Sequence, residues 1–400
     1  MFESIEAAPR DAILGLSAAF REDPRSEKIN LSVGVYQDEH GKTPMLECVR
    51  TAEGRLAEAA QSKSYLPIPG SPEYVEVVQK LVFGAGHEVL KSKRVATAHT
   101  PGGTGALRVV ADFLHTNLPD ATVWMSNPTW PNHPNIFQAA GVPVKSFPYF
   151  DQASNGLAWD AMFEAIHKIS AGDVILLHGC CHNPTGIDPT MVQWKEIADA
   201  VYDRGLAPLL DFAYQGFADG IQEDAAGLRT FLRPGAELMV CNSFSKNFGL
   251  YRERVGALSI VCPSESSVQA VQSQVNRVIR ANYSNPPAHG AEIVNCVLRD
   301  SSLRQTWEKE VATMRSRING MRQSLVDALK AKGAAGDYTF ITQQRGMFSF
   351  TGLTKNQVET LREQHAIYIV GSGRINVAGL TPANVERVAE AIGAVVGQPA

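Results

Sequence analysis

A lysine that lies among serines and is followed by two arginines is the residue of this sequence best suited to covalent chemistry. Lys246 falls within residues 243–251, SFSKNFGLY, directly after the apolar run 238–241, which predicts a short buried strand. An amine forms an imine with a carbonyl group only while it is neutral, so this lysine needs surroundings that lower its pKa. We therefore hypothesise that Lys246 holds a carbonyl cofactor as an imine, and that Ser243 and Arg254 bind a phosphate group of that cofactor. Taken alone, the short motif is more typical of a solvated loop lysine, so the hypothesis depends on the rest of the chain.

Other candidate residues follow the strands that the sequence predicts. Apolar runs at 121–125, 174–178, 206–210 and 238–241 alternate with helical patterns, which indicates a mostly parallel, doubly wound sheet. The carboxyl ends of such strands meet at one edge of the sheet, where ligands bind. The residues just beyond these ends are Trp130, His133, Asn183, Asp211, Tyr214 and Lys246. Any one of them could be an ordinary loop residue, but together they favour a single cleft.

A glycine-rich segment offers a site for an anion. Residues 100–106, TPGGTGA, open onto an apolar-periodic helix over 107–114. Backbone N–H groups at a helix start bind anions, and glycines such as Gly103 let a phosphate approach closely. The segment is not a dinucleotide fingerprint, because Arg108 occupies the position of the last glycine in G-x-G-x-x-G. A plain turn is the alternative, since glycine-rich helix starts are common.

The residue types collected in this way match the requirements of pyridoxal 5'-phosphate (PLP). Its aldehyde needs an amine such as Lys246, and its pyridine nitrogen needs a carboxylate such as Asp211 to stay protonated. Its phenolic oxygen needs hydrogen-bond donors, for which Asn183 and Tyr214 are suited, and Trp130 offers an aromatic face for stacking. The amides, hydroxyl groups and guanidinium that a phosphate needs are supplied by Gly103, Thr104, Ser243 and Arg254.

Two arginines are candidates for binding substrate carboxylates, because the planar guanidinium group donates two parallel hydrogen bonds. Arg374 ends a Gly-Ser-Gly-Arg turn between two apolar runs, and Arg280 precedes residues 281–287, ANYSNPP. Judged by its position in the sequence alone, each arginine could equally well form an ordinary surface ion pair instead of binding a substrate.

The elements that would position these residues can be read from hydrophobic periodicity. Helices are predicted at 12–20, 72–83, 191–204, 355–365 and 382–396, together with one long helix within 286–333 that carries an apolar stripe. Extended segments are predicted at 29–36, 348–350 and 367–370. We expect an N-terminal arm at 1–10, a large domain at 44–313, and a small domain formed by 11–43 and 314–400.

The composition gives no support to several other classes of protein. Hydrophobic residues make up 44% of the chain and charged residues 20%, and the net charge of −4 does not indicate a nucleic-acid or membrane partner. No apolar run is long enough to span a membrane, and the first residues do not resemble a secretion signal. The six cysteines form no C-x-x-C pair, from which we expect a cytoplasmic protein without a structural zinc ion or other metal.

At this point the chain resembles the class I PLP-dependent aminotransferases, and within them the aspartate/aromatic aminotransferase subfamily. The resemblance extends over nearly the whole chain. The motifs that carry it are YLP with a glycine at 65–70, GGTGA at 102–106, NPTWPNH at 127–133, HNPTG at 182–186, DFAYQG at 211–216, SFSKNFGLY at 243–251 and GRINV at 373–377.

The resemblance implies the type I fold of PLP-dependent transferases, in which a large domain with a mostly parallel, doubly wound sheet is joined to a smaller α/β domain. It implies that Lys246 carries PLP and shuttles a proton, and that Asp211, supported by His133, pairs with the ring nitrogen. Tyr214 completes the implied catalytic set and, with Asn183, binds the phenolic oxygen.

The same resemblance implies how substrates bind. Arg374 would hold the substrate α-carboxylate together with the backbone of Gly34, and Trp130 and Asn183 would also face the substrate. A homodimer with shared active sites is implied, in which Tyr65 reaches the phosphate and Arg280 the distal substrate carboxylate of the neighbouring subunit.

The implied reaction is a ping-pong transfer of an amino group between amino acids and 2-oxo acids. We expect L-aspartate and 2-oxoglutarate as substrates, with aromatic side activity, and keep a tyrosine/phenylalanine aminotransferase as the alternative. Residues around the expected site give mixed indications: Val35, Thr43, Thr104 and Asn285 are similar to aspartate-preferring members, residues 66–68 to aromatic-accepting ones, and Gln37 and Ser64 to neither.

Three other classes remain open at this stage. A PLP-dependent lyase or decarboxylase would share Lys246 and Asp211 but has no need of both Arg374 and Arg280. A nucleotide-dependent dehydrogenase would need the glycine fingerprint that Arg108 interrupts. A protein without catalytic activity would carry no coloured cofactor.

Overall fold

The computed structural model describes residues 1–7 and 14–397, and the chain divides into two compact units. The larger unit is Pro44–Ser316, and the smaller one combines Met1–Thr43 with Arg317–Ala400. The helices are α1 Leu14–Glu22, α2 Glu47–Ala59, α3 Pro72–Phe83, α4 Glu88–Lys91, α5 Gly102–Asn117, α6 Asn132–Ala139, α7 Trp159–Lys168, α8 Met191–Asp203, α9 Ala226–Arg229, α10 Glu265–Asn282, α11 Ala288–Arg299, α12 Ser301–Ala331, α13 Phe340–Gln343, α14 Lys355–His365 and α15 Val385–Val396. The strands are β1 Ile29–Asn30, β2 Val95–Pro101, β3 Val123–Asn127, β4 Val144–Pro148, β5 Phe150–Asp151, β6 Gly156–Leu157, β7 Val174–His178, β8 Ala207–Phe212, β9 Leu238–Ser243, β10 Val255–Val261, β11 Phe348–Phe350, β12 Ile367–Tyr368 and β13 Arg374–Asn376.

The larger unit is built on a seven-stranded sheet with the strand order β2-β10-β9-β8-β7-β3-β4. Strands β4, β3, β7, β8 and β9 run parallel to one another, and β10 is antiparallel to both of its neighbours. The predicted α/β fold with a mostly parallel sheet is therefore confirmed. The pairing of β10 with β2 was not predicted, because neither strand was recognised in the sequence.

Helices cover the faces of this sheet and hold the ends of its strands in place. Strands β7, β9 and β10 are buried along their whole lengths, as expected for a sheet with helices on both faces. The main hydrophobic cluster joins α5 and α10 to the sheet, and includes Val110, Leu176, Leu209, Cys241, Leu258 and Ile279. Because such an interior is densely packed, the strand ends that lead to the candidate residues are held in fixed positions.

The long helix predicted within 286–333 is present as α12, but the range also holds a separate helix, α11, and the two are divided at Asp300. Asp300 has extended backbone angles, and its Oδ1 accepts hydrogen bonds from the N–H groups of Ser302 and Leu303, both at 2.9 Å. This is the bonding pattern of an N-cap, which starts a new helix. The apolar stripe, from Leu303 to Leu329, lies wholly within α12, so it gave no sign of the separate helix before it.

The smaller unit contains two short two-stranded ladders, β1 with β12 and β11 with β13. The extended segment predicted at 29–36 forms a strand only at Ile29–Asn30, and the residues after it are irregular. The helix predicted at 12–20 corresponds to α1, and positions 12 and 13 lie outside the described residues. The predicted arm at 1–10 is likewise described only in part, and the assignment of arm, large and small domains stays a prediction. Within the described ranges, no helix is both long and apolar enough to cross a bilayer.

Candidate active site

The candidate residues of the larger unit belong to the carboxyl edge of the sheet. Asp211 pairs with His178 of β7 and with Cys241 of β9, so it lies inside β8 as the penultimate residue. The prediction that Asp211 lies beyond its strand was therefore wrong, because β8 ends at Phe212, two residues after the predicted end of the apolar run. Pairing with strands on both sides extends β8 further than its apolar run indicates.

Asp211 forms a buried hydrogen-bonded chain with a histidine and a threonine. His133 on α6 lies with its Nε2 3.0 Å from Asp211 Oδ2, and its Nδ1 is 2.8 Å from Thr129 Oγ1. A carboxylate only accepts hydrogen bonds, so Nε2 carries a proton, and in the neutral imidazole the Thr129 hydroxyl donates to Nδ1. The chain fixes the orientation of the Asp211 carboxylate.

The surroundings of Asp211 keep it ionised. Burial by itself would raise its pKa, but the hydrogen bond from His133 and the electrostatic interactions with His133, His178 and Lys246 together hold the pKa of Asp211 below its ordinary value. A buried negative charge that is kept at neutral pH can hold a protonated ring nitrogen opposite it. This is the group that the chemistry of PLP requires.

Lys246, on the loop after β9, is the second ionisable group at this edge and is partly buried. Its Nζ lies 4.8 Å from the centroid of the Tyr214 ring. Burial lowers the pKa of Lys246; the negative charge of Asp211 opposes this effect, and the positive charge of Arg254 adds to it. The lowered pKa increases the fraction of neutral amine, which is the form that reacts with carbonyl groups.

The start of α5 forms a cradle with a guanidinium beside it. Gly102 has a φ of +75°, and a Cβ placed there would lie 2.6 Å from Nη2 of Arg254. A Cβ at Gly103 would lie 3.2 Å from Cβ of Ser243. Arg254 Nη1 donates to Ser245 Oγ at 3.3 Å. The first N–H groups of a helix have no partner within the helix, so amides, hydroxyls and a guanidinium meet here in a site that fits a phosphate group.

The other predicted residues of this unit also lie near the edge. Trp130 is half-buried and meets His133 edge to face, with ring centroids 5.2 Å apart. Asn183 and Tyr214 are buried in the loops that follow β7 and β8, and Thr104 lies in the first turn of α5. The structure thus brings these residues to the same edge as Lys246 and Asp211.

Sequence reasoning missed His178, the last residue of β7. Its ring centroid lies 5.2 Å from that of His133, and burial, followed by the charge of His133, lowers the pKa of His178 to about 3. It was overlooked because only residues beyond strand ends were considered, although its place at the end of the run 174–178 could have revealed it. Nitrogen and oxygen atoms of His133, His178 and Asp211 lie within 4.8 Å of one another, a geometry open to a metal ion, but the positive charge of Lys246, which acts on Asp211, disfavours one. The expected absence of a metal stays a prediction.

Two predicted substrate-binding residues belong to the smaller unit. Arg374 on β13 is buried, its guanidinium carbon lies 4.2 Å from the centroid of the Phe348 ring, and its Nη2 donates to the Ser32 carbonyl at 2.7 Å. Gly34 lies beside the same ring, since a Cβ there would be 2.8 Å from Phe348 Cζ. Only a glycine leaves room for the ring at this position.

Tyr65 and Arg280 lie outside the buried cluster. Tyr65 is 91% exposed, and Arg280, at the end of α10, is exposed and donates from Nη1 to Ser284 Oγ. Within the described residues of one chain, neither side chain therefore belongs to the site around Lys246.

Comparison with known proteins gives consistent matches over the whole length. The family model described as "Aminotransferase class I and II" matches residues 26–392. An aspartate aminotransferase of Salmonella typhi is 54% identical over 396 residues, which cover 99% of this chain and 100% of that protein. The aromatic-amino-acid aminotransferase of Escherichia coli (strain K12) is 46% identical over 397 residues, with 99% and 100% covered. The crystal structure of an aromatic-amino-acid aminotransferase from Burkholderia pseudomallei, covalently bound to pyridoxal phosphate, matches with a TM-score of 0.97 at 49% identity and covers 99% of both chains.

Proposed function

The chain belongs to the aminotransferase class I and II family, and from this premise we propose that it is a PLP-dependent transaminase that converts L-aspartate and 2-oxoglutarate into oxaloacetate and L-glutamate. The observation that carries the chemistry is the ionised Asp211 held by His133 at the same sheet edge as an amine, Lys246, whose pKa is lowered. The proposed preference for aspartate is supported by the 54% identity to an aspartate aminotransferase.

When bound, PLP supplies an electron sink that stabilises negative charge at the substrate α-carbon. Lys246 would carry the cofactor, and its Nζ would then remove the proton from the substrate α-carbon and return it as a general base and acid. Asp211 would hold the proton on the ring nitrogen, and Asn183 and Tyr214 would donate to the phenolic oxygen. Trp130 would stack on the ring.

The phosphate would be held at the start of α5. Gly103 and Thr104 would supply backbone N–H groups and a hydroxyl, Ser243 a second hydroxyl, and Arg254 a charge-assisted pair. The close approach of Arg254 to Gly102 supports this role, because a side chain at that position would fill the cradle. We accordingly propose that the larger unit is the PLP-binding domain.

Arg374 and the backbone of Gly34 are proposed to bind the substrate α-carboxylate, and Arg280 the distal carboxylate, with Trp130 and Asn183 also facing the substrate. An aspartate aminotransferase needs both arginines, since its substrates carry two carboxylates. A decarboxylase or lyase has no such need. The alternative, an aromatic aminotransferase, is supported by the match to such enzymes at 46% and 49% identity.

We further propose a homodimer with shared sites, in which Tyr65 and Arg280 serve the neighbouring subunit. The exposure of both side chains supports this, since an exposed side chain is available to contact a neighbouring subunit. Mixing the variants Lys246→Ala and Arg280→Asp provides a test. Hybrid dimers with shared sites contain one native site and regain activity with aspartate, whereas self-contained sites leave the mixture inactive. The six free cysteines support a reducing cytoplasm as the location.

The function is tested by comparing rates with aspartate, tyrosine and phenylalanine as donors to 2-oxoglutarate. Arg280→Asp is expected to lower kcat/KM for aspartate about hundredfold or more relative to phenylalanine, because the new carboxylate repels the substrate. Arg277→Asp is the matched control, since it makes the same charge change at an exposed position of α10. Equal losses for both donors would contradict the role of Arg280, and no glutamate from aspartate would contradict the proposed reaction.

A further inference from the structure

One face of the β11–β13 ladder carries the proposed carboxylate-binding arginine. Phe348 pairs with Asn376 and Phe350 with Arg374, so these four side chains share a face, because side chains alternate along a strand. On this face the Arg374 guanidinium lies over the Phe348 ring and donates to the Ser32 carbonyl. The plane of that ring limits where the guanidinium can lie.

The irregular segment after β1 is attached to the same face. Asn376 Nδ2 donates to the carbonyl oxygens of Val33 at 2.7 Å and Val35 at 2.8 Å. Between them, Gly34 leaves only enough space for the edge of the Phe348 ring. The position of Phe348 therefore affects both the side chain of Arg374 and the backbone at Gly34.

A second arginine holds β11 from its opposite face. Arg322, in the part of α12 that belongs to the smaller unit, is 1% exposed. Its Nε donates to Ser349 Oγ at 3.2 Å, and its Nη2 donates to the carbonyl oxygens of Gly346 and, at 3.1 Å, Phe348. Its Nη1 donates to Asn319 Oδ1 at 3.0 Å, within the same helix. One rigid, planar group thus joins α12 to three acceptors, two on β11 and one on the turn before it.

We propose that Arg322 is a positioning residue for substrate carboxylate binding, because by holding residues 346–349 it sets the place of the Phe348 ring and, through that ring, of Arg374. The inference rests on the proposed function of Arg374. It requires the fork geometry of a guanidinium and not merely a positive charge, since a lysine ammonium cannot bind the three acceptors in fixed directions. A displacement of about 1 Å in a bidentate donor can weaken its function by about hundredfold.

The test measures the affinity of the PLP-loaded enzyme for glutarate, a dicarboxylate without an amino or oxo group, by calorimetry. Arg322→Met and Arg322→Lys are each expected to raise the Kd for glutarate at least about tenfold, and to raise KM for 2-oxoglutarate more than they lower kcat. Arg94→Met is the matched control. Arg94 also donates to three carbonyl oxygens, of Cys262, Ala236 and Arg233, but it lies just before β2, at the end of that strand remote from Gly102. This control is expected to lower Tm while leaving the Kd for glutarate within about twofold of wild type.

Arg374→Ala, measured in parallel, distinguishes a failure of the proposed role of Arg374 from a failure of the role of Arg322. If Arg374→Ala binds glutarate as wild type does, the proposed role of Arg374 fails. If Arg374→Ala loses glutarate binding while Arg322→Met and Arg322→Lys keep it, the role of Arg322 is overturned. The role is also overturned if Arg322→Met loses binding but Arg322→Lys binds glutarate as wild type does. Should Arg322→Met not fold, Ser349→Ala removes a single buried acceptor and is expected to weaken glutarate binding about threefold, and unchanged binding in that variant would refute the proposal.

Discussion

Gly102 is the position at which one added methyl group is expected to disturb phosphate binding most selectively. Its φ of +75° is strained for any other residue, and an added Cβ would lie 2.6 Å from Nη2 and 3.0 Å from Cζ of Arg254. Non-bonded heavy atoms are most stable about 3.5–4.0 Å apart, so in Gly102→Ala the guanidinium must move by about 1 Å. The variant combines backbone strain with displacement of a proposed phosphate ligand.

The two effects can be estimated separately. A left-handed conformation costs an alanine about 1–2 kcal/mol, and this cost lowers the free energy of unfolding. Loss of a hydrogen bond to a charged group costs about 1.5–3 kcal/mol, which corresponds to a rise of about 10-fold to 150-fold in the Kd for PLP. Only the second effect should change cofactor affinity.

Titration of the apoenzyme with PLP, followed by absorbance, measures this affinity, and chemical denaturation measures stability. Gly41→Ala is the matched control, because Gly41 has a φ of +74° but no atom within 4 Å of its Cβ position. Both variants should lose similar stability, and only Gly102→Ala should bind PLP more weakly. If Gly102→Ala binds PLP within about twofold of wild type, the assignment of Arg254 and the start of α5 to the phosphate is refuted.

Two further predictions concern stability. Burial lowers the pKa of His99 to about 3. Between pH 6.5 and 3 the unfolded chain therefore binds a proton at His99 that the folded chain does not bind. The free energy of unfolding should fall as the pH is lowered through this window, by about 1.4 kcal/mol per pH unit for this group. His99→Phe should reduce the pH dependence measured by denaturation across that window, and an unchanged slope would argue against a neutral, buried His99. Thr190 caps α8, accepting at Oγ1 from the Gln193 N–H while Gln193 bonds back to the Thr190 N–H. Thr190→Ala should cost about 1 kcal/mol and speed hydrogen exchange in α8, whereas Thr190→Ser should keep the cap, and equal exchange in both variants would contradict this role.

Local signals were sufficient for several elements. The bounds of β7, α3, β11 and α14 coincide with the predicted ones, because apolar runs and periodic stripes at these places end at polar or turn residues. Local sequence signals were insufficient where hydrogen-bonded pairing between distant segments decides which residues form a strand. Strands β2 and β10 were not predicted, and β8 extends past its apolar run to include Asp211.

The residues of the candidate site show the same division. Lys246, Asp211 and the glycines of α5 could be predicted because each follows an apolar run or starts a helix, which is a local property. His178 was missed because only residues beyond the predicted strand ends were considered, and His178 is the last residue inside its strand. Arg322 gave no signal either, since its partners at 346–349 are distant in the sequence, and only burial reveals that a guanidinium is used inside the fold.

The sequence by itself determined the type of fold, the chemistry of the side chains and the places along the chain where they occur, because periodicity and residue type are local. Only the tertiary structure decided the ionisation of Asp211 and Lys246, since burial and neighbouring charges set both pKa values. It also decided which residues hold Phe348 and Arg374 in place, because hydrogen bonds between distant segments exist only in the folded chain.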